Sequence, residues 1–142
     1  MSPVYFYIES LYKYLLDNIS GISDILYKEA IPQNDLQRFV LIADLGGEYE
    51  DSQQREYQPE LLIVTQDTSA YAAKMLAYGV FSAVKQMHDL TLPVSYEWQG
   101  ETKNAQLNFA KLMAGFTPSP QGNTGNGLFQ YMTQLKIMVC EN

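Results

Sequence analysis

Residues 61–87 read LLIVTQDTSAYAAKMLAYGVFSAVKQM, and this stretch decides the fold class. Leu61-Leu62-Ile63-Val64 is a short, continuous apolar run rich in branched side chains, the pattern of a strand covered on at least one face. Gln66-Asp67-Thr68-Ser69 follows, and three consecutive residues there can accept hydrogen bonds from the free N–H groups of a helix start. From Ala72 the apolar residues change to helical spacing: Ala72, Met75, Leu76, Gly79, Val80, Ala83, Val84 and Met87. The small residues Ala72, Gly79 and Ala83 predict a helix side that lies close on a sheet. Glycine costs about 1 kcal/mol relative to alanine in a helix interior, and close approach is a reason to tolerate it. A strand leading into a helix is therefore the frame on which the rest packs.

Upstream, Arg38 to Leu45 (RFVLIADL) predicts a strand centred on Phe39-Val40-Leu41-Ile42 and broken by Gly46-Gly47. Polar residues from Glu48 to Glu56, with four acids against one base, separate it from a second strand over 57–65. The two are expected to pair antiparallel across a long exposed loop, 46–56. Pro59 falls near the start or edge of the second strand, where a missing donor is tolerated. Asp24 to Ile31 is only weakly extended and is stopped by Pro32-Gln33-Asn34-Asp35.

At the N-terminus, Ser2-Pro3 offers a capping hydroxyl followed by proline at the first helical position. Tyr5, Ile8, Tyr12, Leu15 and Ile19 then mark one apolar face, and Gly21 is placed to end the helix in a left-handed turn. A second stripe, Tyr7, Leu11 and Tyr14, lies beside it. Two readings of that stripe stand: it covers core edge, or it meets another protein, since tyrosine suits half-wet interfaces.

Downstream, Leu90 to Val94 is a short extended run interrupted by Pro93, and Glu101-Thr102-Lys103-Asn104 reads as a turn. Residues 105–116 lean to strand, and 117–127 (TPSPQGNTGNG) read as the least ordered stretch. Phe129, Tyr131, Thr133, Leu135, Ile137 and Val139 alternate with mostly polar neighbours, the period of a half-buried strand. The order α-β-β-α-β-β predicts an α+β domain spanning 1–142: a mostly antiparallel four-stranded sheet with two helices packed on one face.

With 142 residues and 46% hydrophobic composition, the chain can bury a core without disulfides or metals. Cys140 is the only cysteine, which excludes an intrachain disulfide and points to a reducing compartment. No apolar run reaches the roughly 18 residues of a membrane span, and the first fifteen residues lack the pattern of a signal peptide. A net charge of −7 argues against a protein that wraps nucleic acid.

The search for reaction chemistry yields little. His88, the lone histidine, is expected in a helix's last turn, where it complements the dipole rather than acting as base or ligand. Cys140 lacks a partner base, and no glycine-rich loop is followed by Lys-Ser/Thr. Glu48, Glu50 and Asp51 lack the ligand spacing of a calcium loop and read as a solvated charged loop. No enzyme activity, cofactor or metal is expected.

The layout resembles a known family. An amphipathic first helix ends near Gly21; the strand Phe39-Val40-Leu41-Ile42-Ala43-Asp44-Leu45 closes on Gly46-Gly47; Tyr57-Gln58-Pro59 leads into Leu61-Leu62-Ile63-Val64; and a helix opens at Asp67-Thr68-Ser69. A loop with Pro118, Gly122, Gly125 and Gly127 precedes the alternating last strand. In this the chain is similar to the tail-terminator and minor capsid proteins at the head–tail joint of tailed bacteriophages. Residues 95–116 follow that layout only loosely.

The resemblance implies a non-enzymatic virion protein, assembled in the host cytoplasm. It would form a closed ring, usually of six copies, that docks on the tail tube protein, stops tube growth and faces the head–tail connector protein. DNA would only pass through the lumen, which an acidic chain would not hold. Tyr7, Leu11 and Tyr14, with Glu48, Tyr49, Glu50 and Asp51 of the first loop, are the candidate interface residues. The alternatives are another neck component, such as a head-completion adaptor, or a monomeric intracellular binding domain of the same layout.

Overall fold

A computed structural model describes residues 2–33, 35–50, 55–123 and 125–142. Among them the chain runs through α1 (Tyr7–Asn18), β1 (Leu26–Lys28), β2 (Phe39–Glu50), β3 (Glu56–Asp67), α2 (Ala70–Lys85), β4 (Leu90–Trp98), β5 (Glu101–Gly115), β6 (Ser119–Asn123) and β7 (Phe129–Glu141). The fold is α+β with a mostly antiparallel sheet, but the sheet has seven strands rather than four. Its order is β1-β2-β3-β7-β5-β4, with β6 on β7. Only β1 and β2 pair in parallel among the described strands.

The three additional strands, β1, β4 and β6, come from segments with weak patterns. Leu26–Lys28 adds to the edge of β2, since Val40 N–H donates to the Ile25 carbonyl and Glu29 N–H to that of Ile42. Ser119–Asn123, expected as loop, lies along the N-terminal half of β7, beyond the point where β5 leaves it. Pro120 and Gly122 are tolerated because this is a short edge strand.

The Gly46-Gly47 pair kinks β2 instead of ending it. Gly46 takes φ 84° and the register shifts between Asp44 and Gly47, a β-bulge that absorbs an extra residue. Pairing then resumes through Gly47 with Pro59 and Tyr49 with Tyr57 to Glu50 with Glu56. Most of the expected 46–56 loop is thus a twisted two-stranded arm. Another expected turn moves: Gln99-Gly100, both left-handed at φ 54° and 78°, joins β4 to β5, and 101–104 is strand.

The core lies on one face of the sheet, where alternate residues such as Val40, Ile42, Leu61, Ile63, Leu135 and Val139 point. Leu11, Leu15, Val80 and Val84 from the two helices join them in one cluster. Before α1, Pro3–Phe6 forms a 3-10 turn, and the Ser2 hydroxyl bonds Glu141 rather than capping the helix. α1 ends at Asn18, with Gly21 left-handed at φ 76° shortly after. α2 starts as its sequence indicates: the Ser69 hydroxyl accepts from Ala72 N–H at 3.1 Å. No helix among the described residues is long and apolar enough to cross a membrane.

Candidate assembly interface

The candidate residues of helix α1 are largely inside the molecule. Tyr7 and Leu11 are 0% exposed and belong to the core cluster, so neither has surface to offer a second protein. Tyr14 is half-buried and donates its hydroxyl to the Ala83 carbonyl at 3.3 Å, fastening α1 to α2. The stripe is core because α1 lies in the angle between the sheet and α2, and a helix touched on two sides buries two stripes.

The Tyr7 hydroxyl donates to Asp44 Oδ1 at 3.2 Å, and the same oxygen accepts from Gly46 N–H at 2.8 Å. The Tyr57 hydroxyl lies 3.5 Å from Asp44 Oδ2. Burial, then the Asp44 charge and hydrogen bond, raises the Tyr7 phenol far above its ordinary value. The same causes push the Tyr57 phenol up to about 12. Burial, then Asp44 and Glu9, also raises the Glu29 carboxyl. Tyr5 packs on Tyr49 at 5.3 Å and on Tyr57 at 5.2 Å between ring centres. Tyr49, a candidate interface residue, is therefore half-buried within an aromatic knot that fixes the arm against the N-terminus.

The acidic candidates occupy the other side of the arm. Glu48 and Glu50 are exposed. In the ladder they alternate with Tyr49, so they stand on the outer sheet face, away from the helices. Asp51 lies outside the described residues.

Sequence reasoning missed the main exposed apolar groups. On α2 the buried residues are Ala73, Ala77, Val80 and Val84: Val80 and Val84 of the expected face are buried, but Ala73 and Ala77 join them in place of Met75 and Gly79, which turns the buried face part-way round the helix. Gly79 is exposed, and a Cβ there would meet nothing within 4 Å. Tyr71 (73% exposed), Met75 (55%) and Tyr78 (36%), at steps of four and three, form a solvent-facing stripe. The ambiguity has a cause: between Ala70 and Lys85 the only charges are Lys74 and Lys85, so apolar side chains cover nearly the whole circumference. A helix apolar all round is normally covered all round.

The outer sheet face carries a second patch. Leu62 and Met132 lie on it beside Phe116, which is 76% exposed, and with Pro118 and Pro120 they line an open groove at the β5–β6 break. Such a face on an antiparallel sheet is usually polar. Farther along it Phe39 and Gln66 are buried, and Gln66 Nε2 donates to the Leu36 carbonyl at 2.9 Å.

No protein-family model matches this sequence, and no curated protein does.

Among the described residues no group of three or more His, Cys, Asp or Glu side chains is arranged to hold a metal ion. His88 is exposed just past the end of α2. Cys140 is half-buried on β7, its thiol pushed up by burial and by Glu56. That direction keeps it protonated and weakly reactive.

Proposed function

We propose that this protein is a structural part of a phage virion, resembling the tail-terminator and minor capsid proteins of the head–tail joint. In this reading copies of the chain form a ring, of six in the pattern of that family. The ring sits on the head-proximal end of the tail tube, stops its growth and joins tail to head. The observation that carries the reading is the apolar surface left over by the fold: Tyr71 and Met75 on α2, and Phe116 and Met132 on the outer sheet face. Isolated exposed apolar residues need no explanation, but grouped ones mark contact surfaces. Two groups on opposite sides of a subunit suit a head-to-tail interface, the kind from which rings are built. The α+β layout with its mostly antiparallel sheet supports the resemblance, whereas the Gly-Gly pair, which kinks β2 instead of closing it, departs from it.

The test is co-sedimentation with purified tail tubes, followed by imaging of tube ends. Caps of this protein at one end, and tubes that no longer elongate, are the expected result. Binding to isolated head connectors with none to tubes would make it a head-completion adaptor instead. Indifference to both would refute a role in the virion.

A further inference from the structure

The charge balance differs between α2 and the outer sheet face. The Lys74 and Lys85 side chains flank the Tyr71–Met75–Tyr78 stripe on one side of α2, about 16 Å apart at 1.5 Å per residue. Lys74 Nζ lies over the Tyr78 ring at 5.9 Å and Lys85 Nζ over that of Phe81 at 6.0 Å. No acidic residue lies within α2, in a chain of net charge −7.

On the outer sheet face the strands run from the Phe116–Met132 patch toward the arm, where Glu48, Glu50, Glu56 and Glu60 alternate with inward residues, against Lys111 and Lys136. α2 thus carries lysines alone, and the outer face an excess of carboxylates, four against two lysines. They also lie on opposite sides: α2 sits on the core face of the sheet and turns its stripe outward, while the second patch is on the far face.

The geometry points to a second copy of this chain as the occupant of α2: the outer sheet face of one subunit covers the helix stripe of the next. Tyr71 and Met75 would rest on Phe116, Leu62 and Met132, with Lys74 and Lys85 directed at the carboxylates of the arm. Repeating the contact joins subunits head to tail, and the series closes into a ring where the rotation allows. A lysine flank meeting a carboxylate face also sets which way the helix lies, because the reversed orientation would leave both charge sets unmatched. This inference rests on the ring reading and names the two surfaces that make it.

A charge exchange in the full chain tests it, with self-association measured by sedimentation velocity. All four sites are exposed, so Lys74→Glu with Lys85→Glu, and Glu48→Lys with Glu50→Lys, should leave folding intact, checked by circular dichroism. Each double variant should weaken association about tenfold or more, and mixing the two variants should restore a complex between them, since each then offers the complement the other lost. A second pair, Tyr71→Ser with Met75→Ser, should weaken association without restoration by either charge variant. If the wild-type chain associates and the exchanges leave it unchanged, the surfaces are wrong while the ring stands. Variants in α2 that associate normally but lose the tail tube would assign the helix to the tube and overturn the proposal. A wild-type chain that stays single, alone and on tubes, would sink both the proposal and the ring.

Discussion

Gly47 is where the fold leaves least room. A Cβ there would stand 2.5 Å from Pro59 Cα and 2.7 Å from the Gln58 carbonyl carbon, both backbone atoms that cannot rotate away. Gly47→Ala would therefore force β2 and β3 apart by roughly 1 Å beyond the bulge, and overpacking of this kind costs about 1–3 kcal/mol. At ~3–4 °C per kcal/mol for a chain of this length, the melting temperature should fall by about 3–12 °C. Gly79→Ala is the matched control. Its Cβ enters open space on an exposed helix, so the helix propensity gain of about 1 kcal/mol should raise the melting temperature by ~3–4 °C. Thermal unfolding by circular dichroism reads both, at one protein concentration because association itself stabilises. An unchanged Gly47→Ala variant would refute the close β2–β3 approach. A destabilised Gly79→Ala variant would refute an α2 that turns Gly79 to solvent.

Leu11→Ala should cost about 2–5 kcal/mol in a urea titration, since Leu11 is wholly buried, with no effect specific to self-association. Thr65→Val should raise stability by about 1 kcal/mol, because the buried Thr65 hydroxyl has no hydrogen-bond partner among the described residues. The Tyr57 phenol gives a pH prediction: the folded state holds it neutral up to about 12, whereas the unfolded chain ionises near 10.0. Its contribution is full below pH 10 and is lost as pH rises from 10 toward 12, with Tyr7 adding loss of the same sign. Tyr57→Phe should flatten that decline, measured as the urea midpoint from about pH 9 to about pH 12.

Strong alternation makes β7 legible in the sequence, and continuous apolar runs do the same for β2 and β3. The start of α2 is legible because Ser69 is a good cap. Its facing is not: with almost no charges to mark a polar side, the periodicity fits several rotations, and only packing selects Ala73, Ala77, Val80 and Val84. β1 and β6 carry little pattern of their own, and they are strands because β2 and β7 offer unpaired edges. The Gly-Gly pair reads as an end because glycine breaks strands more often than it bends them, and the pairing that continues to Glu50 depends on long-range contacts. At the candidate interface, Glu48 and Glu50 are exposed as their polarity suggests. Tyr7 and Leu11 are buried because α1 meets both the sheet and α2, a contact between elements distant in sequence.

The most direct test of an assembly role is the molar mass of the purified chain by light scattering, across a range of concentrations and with tail-tube protein added. A ring-forming subunit should give a discrete closed multiple of 16.1 kDa. A particle of 16.1 kDa under every condition would contradict that role.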